Sequence, residues 1–545
     1  MSLAQVATTV STKLQTLVTL AAAGIVRPSR PDRLVRTVAA LARWGPTPAA
    51  GYTVSATRYP DLVGIVDELG TLTFREIHER TNAFAHALRA GGIGPGDGVA
   101  IMCRNHRGFV DAVVACSKLG ADALFLNTQF SKPQLTDVLE RERPAALVYD
   151  QEFAGLLDDA SVELKRYVAW QEPEQDTDDP LLEEEIGRHD TSDLTPPDAP
   201  GKATILTSGT TGTPKGASRA QPKSMEPIAA LLDRIPLKAR ETTVIAAPLF
   251  HSWGYAHWSL GLSLASTIVL KRRFDPEGIL SLTAQHRASA LVVVPVMIQR
   301  ILELDDEVLG RYDLSALRVV AVSGSALPAS QSERWMDLFG ENVYNLYGST
   351  EVAWATIATP RELREAPGTA GRPPRGTVVK LYDEKGREVA QGETGRIFVG
   401  NEMQFEGYTG GGGKDLIDGL MSSGDVGHFD AQGRLFVDGR DDDMIVSGGE
   451  NVFPQEVEDL LAGHERIAEA AVFGVDDDKF GQRLKAVVVT SGGELTQDDV
   501  KEYVKSNLAA YKVPRDVEFI DELPRNATGK VLKRKLRGEE TADPK

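Results

Sequence analysis

At 545 residues the chain exceeds one ordinary domain, so two or more are expected. Its composition, 42% hydrophobic and 25% charged, is that of a folded protein handled by water. Sixty basic residues against 78 acidic ones give a net charge of −18, which argues against general nucleic-acid binding but leaves room for a local anion site. Cys103 and Cys116 are the two cysteines, and both lie in apolar segments. Buried free thiols in a reducing compartment, the cytoplasm, are therefore expected. Neither a Cys/His metal spacing nor HExxH occurs.

The first 51 residues read as a basic amphipathic extension. Residues 10–26 are mostly apolar but carry Lys13 and Gln15 and fall short of the ~20 residues that span a bilayer. Positive charge follows the apolar run rather than preceding it, which is wrong for a signal peptide. Through Trp44, Lys13, Arg27, Arg30, Arg33, Arg36 and Arg43 face only Asp32. Leu34, Val35, Val38, Leu41 and Ala42 recur at helical spacing. Two readings stand: a helix on a membrane surface, or a helix packed on the body with solvated arginines.

From residue 62 the pattern becomes regular. A strand pair around Gly70 precedes a helix from about Phe74. Residues 92–98 are glycine-rich, miss the GxGxxG spacing and read as a turn. Strands are expected at 99–103, 121–126 and 145–149, with helices at 107–119 and 132–141 between them. Such alternation implies a mostly parallel sheet covered on both faces. Residues 172–201 are acidic, contain proline and read as a surface loop. Alternation resumes over 224–345, with strands at 243–247, 267–270, 291–294 and 319–322. From 371 to 437 short strands (378–382, 395–399, 435–437) are separated by glycine turns, as in a small β-barrel or twisted sheet. A compact α+β unit follows, with helices at 455–461 and 496–508 and strands at 470–475 and 484–489. The fold class is therefore α/β: a large domain (52–440) with a small β-barrel-like subdomain, then a small mobile α+β domain (441–545).

The stretch Thr207-Ser208-Gly209-Thr210-Thr211-Gly212-Thr213-Pro214-Lys215-Gly216 follows an apolar run at 203–206. Glycines and small hydroxyl residues free backbone N–H groups to converge on an anion, and Lys215 adds a positive charge. The pattern is not the ordinary P-loop, since no Gly-Lys-Ser/Thr opens a helix. Downstream come Tyr347-Gly348-Ser349-Thr350-Glu351, Ser423-Gly424-Asp425, Gly439-Arg440, Ser447-Gly448-Gly449-Glu450-Asn451 and Pro524-Arg525-Asn526-Ala527-Thr528-Gly529-Lys530. In this order the motifs resemble those of the adenylate-forming superfamily: acyl-CoA synthetases, peptide-synthetase adenylation domains and luciferases. The resemblance spans roughly residues 52–536.

The resemblance implies a reaction in two halves. A carboxylate attacks the α-phosphorus of ATP and expels pyrophosphate, and a thiol then displaces AMP from the acyl-adenylate. Two anions meet in the first half, so neutralising charge dominates the requirement. By resemblance, the 207–216 loop holds the β- and γ-phosphates. Glu351, with Thr207, serves Mg2+, a hard cation suited to oxygen ligands. Thr350 meets the α-phosphate. Tyr347 stacks on adenine, and Gly348, Ser349 and Ser323-Gly324-Ser325 complete its surroundings. Asp425 accepts from both ribose hydroxyls with help from Arg440. Lys530 is the adenylation lysine, whereas Arg525, Lys533, Arg534 and Lys535 read as surface charge. A hinge at Asp442 would carry Lys530 out and bring Ser447, Gly448, Gly449 and Glu450 to the coenzyme A channel.

Phe250-His251-Ser252-Trp253-Gly254-Tyr255 lies at the family's acyl-site motif. Amino-acid-activating relatives carry an Asp near this Phe, but His251 stands here, so an ammonium group would have no partner. Gly254, Ala256 and Gly261 beside Trp253, Tyr255 and Trp258 suit an apolar tunnel. His251 reads as a wall or gate residue. The expected activity is that of a medium- to long-chain fatty-acyl-CoA synthetase using ATP, Mg2+ and coenzyme A. Two alternatives stand: a fatty-acyl-AMP ligase serving a carrier protein, and a non-catalytic lipid- or nucleotide-binding relative. The enzyme would be cytoplasmic, with or without peripheral membrane contact through its first 51 residues.

Overall fold

The computed structural model describes residues 3–27, 30–158, 164–172, 176–207, 215–219, 224–408, 413–443, 445–447, 450–477, 481–526 and 529–538. Three helices lead the chain: α1 (Leu3–Ala22), α2 (Pro31–Trp44) and α3 (Pro48–Arg58). Thr47 caps α3, its hydroxyl accepting from the Ala50 amide. No helix among the described residues is long and apolar enough to cross a membrane.

Two large sheets follow. One has eight strands, in the order Thr356–Ala358, Val343–Tyr347, Val319–Val322, Ala290–Val293, Thr242–Ile245, Thr267–Leu270, Val63–Asp67, Gly70–Thr73. All neighbours between Val343–Tyr347 and Val63–Asp67 pair in parallel, and only the two edges are antiparallel. The second sheet has seven strands and is parallel from Ala203–Thr207 through Asp122–Phe125, Gly98–Met102 and Ala146–Asp150 to Lys165–Trp170. The helix Arg107–Leu119 is buried along nearly its whole length. One apolar core runs through it, from Val99 and Ile101 of one sheet to Ile268 and Val292 of the other. That is the setting a helix with apolar residues on every face requires.

One expectation changes here. Residues 172–201 are not all loop: Leu182–Arg188 is a helix, with Leu182 buried and Arg188 paired to Glu184 at 2.7 Å. Its acidic sequence hides a single buried anchor. The block after 371, expected as a small β-barrel or twisted sheet, is a five-stranded antiparallel sheet that follows an open path among the described residues. Its longest strand, Leu420–Phe429, contains the Ser423-Gly424-Asp425 motif.

The small domain has its own sheet, with Gly481–Thr490 paired to Ile467–Asp477 and to Asp516–Phe519. Helices Pro454–Ala462 and Gln497–Asn507 cover it, and Val457, Leu461, Val472, Val488, Val500 and Val504 share a core. A capping box between Thr496 and Asp499 starts the second helix. The two cysteines are buried and free.

Candidate active site

The candidate residues gather where parallel strands end. Ser323-Gly324-Ser325 follows Val319–Val322, Tyr347 ends the neighbouring Val343–Tyr347, and Phe250-His251 lies beyond Thr242–Ile245 in the same sheet. The carboxyl ends of parallel strands are where α/β sheets hold ligands, because the turns there are free to vary while the strands fix their roots. Ser323 is buried, and Gly324 turns with φ +107°.

The 348–353 turn is held from several sides. The Ser349 hydroxyl donates to Glu351 Oε2 at 2.8 Å and accepts from the Val352 amide at 3.3 Å. Asn401, which the sequence reading missed, donates to the Val352 and Trp354 carbonyls at 2.8 and 2.9 Å. Thr350 and Glu351 are thus half-buried on a fixed turn. Glu351 offers hard carboxylate oxygens, one of them already oriented by Ser349, which fits an Mg2+ ligand.

The Tyr347 hydroxyl donates to Asp425 Oδ2 at 2.5 Å, and Ser423 Oγ accepts from the same hydroxyl at 3.1 Å. Arg440 Nη1 lies 3.3 Å from Asp425 Oδ1. The backbone places this pair, since Asp425 and Arg440 face each other across adjacent antiparallel strands. Burial pushes the Asp425 carboxyl above its ordinary value, while Arg440, the Tyr347 hydroxyl and the charge of Lys530 oppose the shift. The same burial, with Asp425 alongside, holds the Tyr347 phenol far above its usual range. Residues of the large domain and the small domain therefore act on one carboxylate.

Lys530 sits in a tight loop. The Asn526 amide donates to the Lys530 carbonyl, and the Lys530 amide donates to Asn526 Oδ1, both at 2.9 Å. Arg525 Nη1 donates to the Gly529 carbonyl at 2.6 Å, and its guanidinium pairs with Glu469 at 3.1 Å. Lys533 pairs with Glu458 at 2.8 Å. The expectation that Arg525 and Lys533 are surface charge is thus corrected: Arg525 braces this loop, and Lys533 ties the turn after it to the helix Pro454–Ala462. Gly529 is pressed against the large domain with φ +78°, and a Cβ there would come 2.3 Å from Val296 Cγ1. Gln299 donates to Glu469 at 2.9 Å across the same boundary.

Between the domains lies a cleft of about 630 Å³. Its apolar wall includes Pro248, Phe250, Val294 and Met297, and its cations are Arg104, Lys271, Arg272, Arg273, Arg300, Arg525 and Lys535. These cations come from five stretches of chain, so no local motif announces them. Asn105, also missed, shapes the wall: it is buried, donates to the Ala247 carbonyl at 3.0 Å and accepts from the Leu249 amide at 2.8 Å.

The tunnel reading around His251 needs correction. Gly254 packs on backbone, where a Cβ would lie 2.3 Å from the Pro248 carbonyl oxygen, and Gly261 packs on Ile268. Trp258 is fully buried, and Trp253 donates its indole N–H to the Val293 carbonyl at 3.1 Å. These residues fasten the helix Ser252–Leu264 to the core, and their small and aromatic pattern records packing. His251 itself is half-buried at that helix's N-cap.

Other candidates fall outside the description. Ser208, Gly209, Thr210, Thr211, Gly212, Gly448 and Gly449 lie outside the described residues. Backbones frame both gaps: Thr207 pairs with Lys215, and Ser447 with Glu450, each across an antiparallel ladder. Asp442 lies in the 3-10 turn Asp441–Asp443. A buried trio, Cys103, His106 and Asp150, has metal-like spacing, but Arg272 Nε lies 3.6 Å from Asp150 and already supplies a positive charge.

Residues 52–409 match the family model described as AMP-binding enzyme, and residues 456–530 match the AMP-binding enzyme C-terminal domain. The chain is 34% identical over 480 residues to a feruloyl-CoA synthase of an Amycolatopsis species, covering 86% of this chain and 93% of that protein. It is 30% identical over 502 residues to a fatty acid–[acyl-carrier-protein] ligase of Streptomyces coeruleorubidus, covering 88% and 94%. It also resembles the crystal structure of an anthranilate CoA ligase in complex with anthranoyl-AMP, with a TM-score of 0.81 and 25% identity over 90% of this chain and 97% of that one.

Proposed function

The chain belongs to the AMP-binding enzyme family, and on that premise we propose that it is an ATP-dependent ligase joining a hydrophobic carboxylic acid to coenzyme A through an acyl-adenylate. One observation carries the reading: Asp425 is met by Tyr347 and Arg440 in the large domain, and the small-domain loop that carries Lys530 presses its Gly529 against Val296 of the large domain. A ribose-binding carboxylate and a cation beside it are what the first half-reaction needs. Asp425 accepts from the ribose hydroxyls. Lys530 draws the acid's carboxylate and the α-phosphate together, offsetting their repulsion. Thr350 orients the α-phosphate, and Tyr347 with Ser323, Gly324 and Ser325 flanks adenine. The loop Thr207 to Lys215 holds the outer phosphates. Magnesium, when bound, neutralises phosphate charge, and Glu351 with Thr207 would hold it.

Residues 52–440 form the working body and 441–545 the lid, which turns about Asp442. That turn exchanges Lys530 for Ser447, Gly448, Gly449 and Glu450. Lys271 and Lys535 on the cleft's lining support a phosphate-bearing thiol as acceptor; its arginines are already engaged, Arg104, Arg272 and Arg273 with Glu152, Arg300 with Glu522 and Arg525 with Glu469.

A medium- to long-chain fatty acid is the first reading of the substrate, because Phe250-His251 offers an ammonium no carboxylate partner. An aromatic acid is the second, favoured by the feruloyl and anthranilate relatives. We place the enzyme in the cytoplasm, with peripheral membrane contact through residues 1–51. Pyrophosphate release across acids of rising chain length, plus ferulate and anthranilate, each with and without coenzyme A, tests the proposal. Turnover that needs coenzyme A and rises with chain length supports the first reading. Turnover confined to the aromatic acids selects the second. Release of pyrophosphate that ignores coenzyme A points to a carrier-protein acceptor, as in the Streptomyces relative. No release with any acid leaves only a binding role.

A further inference from the structure

We propose that α1 and α2 form a docking surface for an anionic lipid bilayer. Both helices turn large apolar side chains outward among the described residues. In α1, Thr16 and Leu20 face the body, while Leu14, Leu17 and Val18 point to solvent, each more than half exposed. In α2, Thr37 and Ala40 are the buried residues, while Leu34, Val35, Val38 and Leu41 face outward, Val35 at 68% exposure. Leu34, Val38 and Leu41 follow helical spacing and make one stripe. A helix serving only the fold turns its large apolar residues in. Of fifteen large apolar side chains exposed among the described residues, eight lie between Leu14 and Leu41, so the exposure is a local feature rather than background.

The orientation is fixed. Lys238 donates to the Ala22 carbonyl at 2.9 Å, and the Ala239 amide to the Ala23 carbonyl at 2.8 Å, which ties the end of α1 to the body. Arg33 Nη1 donates to the Arg58 carbonyl at 2.8 Å, which fixes the roll of α2. Neither helix can rotate its leucines inward without breaking these bonds.

Charge selects the occupant. Residues 12–44 carry six cations and one acid on a chain whose net charge is −18. Arg27 and Arg30, between the two helices, are exposed, as is Arg43 in the last turn of α2. An apolar surface with exposed arginines near it suits a layer whose interior is hydrocarbon and whose headgroups are anionic. A two-fold pairing of this face with itself would bring like charge against like. With no spanning helix among the described residues, the helices lie on the surface rather than crossing it. The proposal rests on the reading above for its use, since a fatty acid partitions into membranes; its geometry stands apart.

The test is co-sedimentation of the full chain, without ATP or acid, with vesicles of phosphatidylcholine alone or mixed with phosphatidylglycerol. Binding to the mixed vesicles at low salt, and loss of it at high salt, is expected. Arg27→Glu/Arg43→Glu lowers the partition about 25-fold or more, at about fivefold per cation. Leu34→Ser/Val38→Ser/Leu41→Ser lowers it about tenfold or more, as expected for exposing apolar area that the bilayer covered. The melting temperatures stay unchanged because all five side chains are exposed. Val35→Asp alone gives the same direction should the triple variant fold poorly. Absence of wild-type binding, or equal binding by the variants, overturns the proposal. So does a concentration-dependent dimer that the serine variant dissolves in the absence of vesicle binding. Vesicle binding by a protein that turns over only water-soluble acids keeps the surface and removes the fatty-acid reading.

Discussion

Asp425 shows how one side chain can be tuned for its task. Burial raises its pKa, and Arg440, Tyr347 and Lys530 restrain the rise. To accept from two ribose hydroxyls it must be ionised, so ATP affinity should fall as pH drops through that raised pKa. Tyr347→Phe removes one restraint, which moves the fall to higher pH. It also raises KM for ATP about tenfold near neutrality, as for a hydrogen bond to a charged group, with little change in kcat. An unchanged pH profile of KM would contradict this. Lys530→Ala should slow adenylation by about 10² to 10³, the scale of losing one preorganised charge partner. Thioester formation from supplied acyl-adenylate should survive, because that half needs no cation on an attacking carboxylate. A variant that adenylates at the wild-type rate would remove Lys530 from the mechanism.

Among the elements, Gly529 is where the small domain's loop meets the large one. Gly529→Ala adds a Cβ that meets Val296 and forces a left-handed backbone, which costs about 1–2 kcal/mol. Adenylation should fall about tenfold, and Val296→Ala in the same chain should restore part of it. Strictly additive losses in that double-mutant cycle would mean the contact does not matter. Elements rich in β-branched residues were legible to the residue: Thr267–Leu270, Val319–Val322 and Val378–Tyr382 match their expected limits. The helix Arg107–Leu119 did as well, bounded by a His106 cap and Gly120. The strand Leu420–Phe429 was not, because Gly424 and a register shift at Val426/Gly427 break its alternation. Gly254 and Gly261 misled for a related reason: small residues look alike whether they open a tunnel or admit a neighbouring backbone.

At the scale of the molecule the two half-reactions require two arrangements of the lid. Gly449→Leu should obstruct the thiol channel, cutting thioester formation while pyrophosphate release continues. Equal loss of both halves would argue against a separate second arrangement. The contiguous motifs that name ATP chemistry were legible, since each needs only neighbouring residues. The cleft was not, because its cations come from Arg104, the run 271–273, Arg300, Arg525 and Lys535, which meet only in three dimensions. Asn105 and Asn401 were missed for the same reason, as their partners lie far along the chain.

In the proposed reaction the acid's own oxygen attacks the α-phosphorus. The direct measurement takes the acid that supports fastest turnover, labels both carboxylate oxygens with heavy oxygen, and follows the label by mass spectrometry. One heavy oxygen in AMP and the other in the thioester carbonyl, with unlabelled pyrophosphate formed in equal amount, is the result expected. Label in inorganic phosphate, or AMP that carries none, would contradict the acyl-adenylate route.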